Sequence, residues 1–184
     1  MSFIRSINDR IKDIKIDEFK LCIFIFMVGG TLGFFVEEVY DFLHNFKIDK
    51  NGFLYGFFLP IFGWGALLIH LIGRKTKQSP SKTFIWTVIL TGILEYFTGD
   101  IMLKIWNVRW WDYSNDFLNI NGHVCLFSVL AFGVLGLLFV YVIEPLIIFM
   151  MDYIGNRKVD IILKIFLIGY LIDNICSFLI KNKL

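Results

Sequence analysis

Polar residues in this chain gather in short clusters, and the stretches between them are almost continuously apolar. Five such stretches stand out, at about residues 19–40, 53–72, 84–105, 124–148 and 161–180. Each is about 20 residues or somewhat longer, which suits a hydrocarbon core of about 30 Å. A segment inside a bilayer must satisfy its own backbone groups, so each run is expected to be helical. The expected fold is an all-α membrane protein, a bundle of about five transmembrane helices forming a single domain over residues 19–184. Ahead of it, residues 1–18 place Phe3, Ile4, Ile7, Ile11 and Ile14 at helical spacing with charges of both signs between them. That is the pattern of a short amphipathic helix on a membrane surface. The run that follows has no small-residue cleavage site and is read as a retained first span.

The connectors carry turn chemistry: Asp49-Lys50-Asn51-Gly52 before the second span, a basic loop from Gly73 to Pro80, and Gly155-Asn156-Arg157-Lys158 after the fourth. Lys and Arg are distributed unevenly. Arg5, Arg10, Lys12, Lys15, Lys20, Arg74, Lys75, Lys77, Lys82, Arg157 and Lys158 fall on one face, against Lys47, Lys50, Lys104, Arg109, Lys181 and Lys183 on the other. The positive-inside rule then puts the N-terminus in the cytoplasm and the loop before the fourth span outside. Splitting the fourth run at Pro145 into two segments would reverse the C-terminus.

Polar residues at membrane depth are costly and face a bundle interior or a cavity. Glu95, within Leu94-Glu95-Tyr96, is the deepest carboxylate in the third span. Glu37 follows Gly29 and Gly33 on one face of the first span, a Gly-x-x-x-Gly pair that permits close helix contact. In the fifth span Tyr170, Asp173, Asn174 and Ser177 share one helix face, which has to line either a helix contact or a polar cavity. The second span is rich in glycine and contains Pro60, reading as a kinked packing helix or a re-entrant segment. Between the third and fourth spans lies Arg109-Trp110-Trp111-Asp112-Tyr113-Ser114. An aromatic belt explains the tryptophans and Tyr113. The nearby Arg109 and Asp112 point further, to a structured lid over an outward-facing cavity.

Composition narrows the class. The chain has 184 residues, is 57% apolar and contains 21 Phe, against about 45–50% apolar for an ordinary soluble domain. A net charge of +2 leaves no electrostatic footprint for nucleic acid. Cys22, Cys125 and Cys176 are far apart within apolar runs and have no zinc or disulfide spacing. His44, His70 and His123 are scattered and read as structural or interfacial, and no metal site is expected.

Asn51-Gly52-Phe53-Leu54-Tyr55-Gly56, Pro60-Ile61-Phe62-Gly63, Leu94-Glu95-Tyr96, Trp110-Trp111-Asp112-Tyr113-Ser114 and Asn119-Ile120-Asn121-Gly122 follow in order along the chain. This series resembles the bacterial CmpB-type family of ABC-transporter permeases. Four positions depart from the family pattern. Asn51 and His123 stand where arginine is common, Phe57 where proline is common, and Phe62 where tyrosine is common. The loss of two arginines weakens any anion-binding role at 51 and 123. The resemblance implies a permease-like subunit of the cytoplasmic membrane that moves a small solute or lipid. Glu37, Glu95, Tyr96, Asp173 and Asn174 would line its path, and Trp110, Trp111, Asp112 and Tyr113 would gate it. The chain has no phosphate-binding G-x-x-x-x-G-K-[ST] loop, so ATP hydrolysis would need a separate ATPase subunit, docking on the basic loop from Arg74 to Lys82. Five spans are few for an enclosed path, so a homodimer is expected. Membrane lipid is the other expected partner, and no cofactor is. The alternative is an intramembrane enzyme or lipid-modifying protein in which Glu95 or Glu37 acts as general acid or base, helped by Asp112 and His123. No zinc motif, nucleophile elbow or Ser/His/Asp arrangement accompanies them.

Overall fold

The computed structural model describes residues 16–45, 52–107 and 109–181. The amphipathic segment expected before residue 16 and the turn residues 49–51 lie outside them. Among the described residues all regular structure is helical and no strand occurs, apart from one isolated bridge between Ile120 and Val124. The helices are α1 (Glu18–Asn45), α2 (Pro60–Thr76), α3 (Pro80–Trp106), α4 (Leu126–Ile154) and α5 (Asn156–Lys181). Three are long and apolar enough to cross a membrane: α1 over Glu18–Tyr40, α4, and α5 over Asn156–Ile180. The two remaining expected spans are helical for different lengths. α3 has 27 residues, but Lys82, Glu95, Asp100 and Lys104 interrupt it.

The second expected span does not begin as a helix. Residues 52–59 are irregular and α2 starts at Pro60, with 17 residues. Proline suits a first helical position, where its missing N–H costs nothing and its fixed φ is already helical. Pro60 is therefore a helix start rather than a kink.

The fourth run is one continuous helix of 29 residues. Its middle widens into a π-helical turn, Phe139–Ile143, where the Glu144 amide donates to the Phe139 carbonyl five residues back. Pro145 comes next. A proline ring clashes with the carbonyl four residues before it, and a π-turn is a common way to absorb that conflict without breaking the helix. Gly155, at φ +84°, separates α4 from α5 in a left-handed conformation that only glycine adopts without strain.

The chain divides into two compact units, residues 1–64 with 145–184, and residues 65–144. In the first unit the irregular segment is held by α1 and α5. The Leu59 amide donates to the Gly30 carbonyl (3.0 Å), Phe58 fills the space over Gly30, and Phe62 fills the space over Gly33. Of the Gly29–Gly33 pair that the pattern assigns to helix contact, Gly33 thus admits an aromatic ring of the same chain. Phe26, Phe58, Phe166 and Tyr170 form one aromatic cluster, with Phe166 and Tyr170 stacked at 5.8 Å. Lys20 pairs with Asp160 at 2.6 Å.

In the second unit α3 packs along α4. Thr83, Thr87, Thr91 and Glu95 recur every four residues of α3 and are all buried. Facing them, Gly133 lies against Phe84 and Val88, and Gly136 against Thr87. A methyl on Gly136 would fall 2.5 Å from Thr87 Cγ2, so the approach of the two helices requires the glycine.

Candidate functional site

The polar site of the second unit is built from three elements. α3 supplies Glu95, the loop of residues 107–125 supplies Tyr113, and the first turn of α4 supplies Ser128. Glu95 is 5% exposed. Its Oε1 accepts from the Tyr113 hydroxyl (3.1 Å) and its Oε2 from the Ser128 hydroxyl (2.9 Å). Ser128 stands there because it closes a capping box. The Cys125 amide donates to Ser128 Oγ and the Ser128 amide donates to Cys125 Sγ, which starts α4 at Leu126, just inside the apolar run. Both partners of Glu95 are hydroxyls, which donate and accept. Each can meet a carboxylate oxygen as a donor.

The loop above Glu95 is tied together by its own polar groups. Trp111 Nε1 donates to the His123 carbonyl (2.8 Å), and the Tyr113 amide to the Gly122 carbonyl (2.9 Å). Arg109 reaches the Asn121 carbonyl (3.0 Å) and Asp112 (3.3 Å). Asn121 donates to the Tyr96 hydroxyl (2.9 Å), which fastens the loop to α3 next to Glu95. His123 is buried, edge-on to the Tyr96 ring at 5.5 Å. The Ser114 hydroxyl and amide both donate to Asp112 Oδ1, and these bonds, more than the Arg109 charge, hold its carboxyl below the usual carboxylate range. Gly122 has φ +71°, and any side chain there would run into Arg109, Ser114 and Asp112. Trp110 is half-buried in the same loop.

Glu95, Tyr96, Trp111, Asp112 and Tyr113 therefore belong to one hydrogen-bonded network. Trp110 lies in the same unit, and Glu37, Asp173 and Asn174 lie in the first. Asp173 grips the irregular segment: its Oδ1 accepts from the Tyr55 amide (2.9 Å), and its Oδ2 from the Gly56 amide (2.8 Å). The buried Ser177 hydroxyl supports it at 3.2 Å, while Asn174 bonds back to the Tyr170 carbonyl at 2.7 Å. Of the two readings of this stripe, the contact at Asp173 is with backbone N–H groups that the irregular segment leaves without helical partners. Glu37 is half-buried on α1.

Three features escaped the sequence reading. Ser128 sits inside an apolar run, and its signal was the Cys-x-x-Ser spacing of a helix start. The threonine stripe shares the four-residue period of Glu95 but reads as neutral in an apolar helix. The third is a buried pair, His70 Nδ1 and Glu144 Oε1 at 3.2 Å, between α2 and α4. Glu144 Oε2 has no hydrogen-bond partner among the described residues.

Long apolar helices with a buried, hydrogen-bonded carboxylate define a helical membrane protein with a polar interior site. The family described as "Putative ABC-transporter type IV" (ABC_trans_CmpB) matches residues 24–178, nearly the whole chain, and the protein belongs to it. That makes it a transporter-related membrane protein. No curated protein and no solved structure matches the chain significantly.

Proposed function

We propose that this protein is the permease-like membrane subunit of an ABC-type transporter of the cell membrane, moving a small solute or lipid. Its five helices then form one transmembrane domain, the N-terminus faces the cytoplasm, and the loop of residues 107–125 covers the outer end of the path. The observation that carries the reading is Glu95, a carboxylate buried in α3 whose two oxygens are held by a lid residue and by the start of α4. Glu95 thereby ties the position of the proposed lid to a buried carboxylate. A substrate that displaces Tyr113 from Glu95 would release the lid at the same moment.

The energy source is a separate ATPase subunit. The proposed docking surface is the exposed basic turn of Arg74, Lys75 and Lys82 at the α2–α3 connection. That turn is braced by the Tyr141 hydroxyl donating to the Lys77 carbonyl (2.9 Å), and by the Thr76–Thr83 hydroxyl pair at 2.8 Å. A fixed, charged turn is what a subunit needs to pass on a partner's motion. Two copies of the chain complete the path. The space over Gly33 is occupied by Phe62 of the same chain, so the contact between copies uses another face.

The test is ATP hydrolysis by the complex reconstituted in lipid, with wild type and Glu95→Gln. The glutamine keeps the size and one acceptor, so assembly is expected to persist while the coupled rate falls to that of the unstimulated ATPase. An unchanged coupled rate would remove Glu95 from the path.

A further inference from the structure

The outer loop turns its polar groups inward and its apolar side chains outward. Phe117 is 76% exposed, Leu118 64% and Ile120 57%. Between them, Asn119 satisfies the backbone. Its side-chain amide donates to the Ser114 and Asp116 carbonyls (3.1 and 3.0 Å) and its Oδ1 accepts from the Gly122 amide (3.2 Å). The Ile120 amide donates to the Val124 carbonyl (2.8 Å), and the Phe117 carbonyl accepts from the Leu126 amide (3.3 Å). A knuckle that ties part of its backbone internally and displays three large apolar side chains suits the apolar side of a membrane interface, where burying those side chains is favourable and the remaining backbone groups stay within reach of headgroups and water. Leu118 also sits at φ +53°, a conformation unfavourable for a residue with a side chain. Its side chain is exposed, so no burial among the described residues compensates for it.

The surface is continuous with a membrane-crossing helix. The Phe117–Leu126 bond places the knuckle beside the first residue of α4, where Leu126 and Phe127 are themselves exposed. No Asp, Glu, Lys or Arg occurs from Phe117 to Ile143, so the uncharged stretch begins with the knuckle and not with the helix. The charged and polar residues Asp112, Asn115 and Asp116 precede it and are exposed.

We infer that Phe117, Leu118 and Ile120 insert into the lipid at the headgroup–acyl boundary and anchor the loop to the bilayer surface. The inference rests on α4 crossing the membrane and is independent of the permease reading. Its consequence is that the loop is held at two points. Tyr113 binds Glu95 within the protein, and the knuckle binds lipid outside it. The state of the adjacent leaflet then acts on the position of Tyr113.

The experiment is site-directed spin labelling of the full chain in phosphatidylcholine nanodiscs. Cys22→Ala and Cys176→Ala remove the accessible thiols, and the buried Cys125 stays. Single labels go at Phe117→Cys, Leu118→Cys and Ile120→Cys, with Asn115→Cys as the aqueous reference. All four positions are exposed, so labelling leaves the fold intact. Collisions with oxygen should exceed those with a water-soluble nickel chelate at 117, 118 and 120, and the order should reverse at 115. Two results overturn the inference. One is nickel accessibility at the knuckle equal to that at 115, which puts it in water. The other is labels shielded from both reagents, which puts it against protein. Either would leave the ATP-hydrolysis test of Glu95 untouched.

Discussion

Removing the Tyr113 hydroxyl isolates the link between the loop of residues 107–125 and the buried carboxylate. Tyr113→Phe keeps the ring and deletes one donor to Glu95 Oε1. A hydrogen bond to a charged group contributes about 1.5–3 kcal/mol in water-soluble proteins. Polar contacts between membrane helices average only about 0.6 kcal/mol, with a maximum of about 1.7. Tyr113 is part-buried and comes from a loop, so the expected coupling between Tyr113 and Glu95 is about 1 kcal/mol, between those two regimes. The assay is a double-mutant cycle of Tyr113→Phe and Glu95→Ala, read by reversible unfolding in mixed micelles. Glu95→Ala alone is the more costly change, about 2 kcal/mol, because it also opens a cavity and strips the Ser128 hydroxyl of an acceptor. Once Glu95 is gone, Tyr113→Phe should cost about 1 kcal/mol less than it does in the wild type. Equal costs of Tyr113→Phe in the presence and absence of Glu95 would refute the reasoning, since the hydroxyl would then be working elsewhere.

Asp173→Ala leaves the amides of Tyr55 and Gly56 without their acceptor and should destabilise the first unit by about 2 kcal/mol, whereas Asp173→Asn, which keeps one acceptor oxygen, should cost about half of that; thermal unfolding of both variants reads the difference. Gly122→Ala puts a methyl group 2.7 Å from Asp112 Oδ1 at φ +71°, costing at least about 1 kcal/mol from the backbone alone, and limited proteolysis should find the loop of residues 107–125 opened. Asp112 has a depressed folded-state pKa, so its contribution to loop stability is fully present above its ordinary value of 3.8 and is lost as pH falls through the lower folded value. Hydrogen exchange of the loop, corrected for intrinsic rates, should therefore be level from about pH 7 to about pH 5 and rise only at strongly acid pH. Ser114→Ala should move that rise to higher pH, and a rise centred near neutrality would point to a different group.

The helices were legible because apolar run length is a strong signal and lipid permits few alternatives. Glu95 was legible for the same reason, since a carboxylate in an apolar run has to be accounted for. Its partners were legible unequally. Tyr113 lies in a polar aromatic block that draws notice, whereas Ser128 is one hydroxyl among leucines and phenylalanines. The polar stripe at Asp173 was visible by its spacing. Its partners were not, because they are backbone amides of residues 55 and 56, and a backbone group left free by an irregular segment has no residue type to announce it. The same segment explains why the second span came out shorter than its apolar run: hydropathy registers residues 53–59 as membrane-compatible but cannot tell helix from irregular chain. His70 and Glu144 pair from distant parts of the chain, a match that only the fold creates.

The central claim is that this chain is the membrane half of a machine driven by a separate ATPase. Native purification in mild detergent tests it most directly, with mass spectrometry of the co-purifying proteins and lipids, for wild type, for Glu95→Gln and for a variant with Arg74, Lys75 and Lys82 changed to Ala. The account predicts a stoichiometric ATPase with wild type and Glu95→Gln and its loss from the triple-alanine variant. No ATPase, together with a specific lipid retained by wild type and lost from Glu95→Gln, would contradict it and make Glu95 the centre of a lipid-handling site.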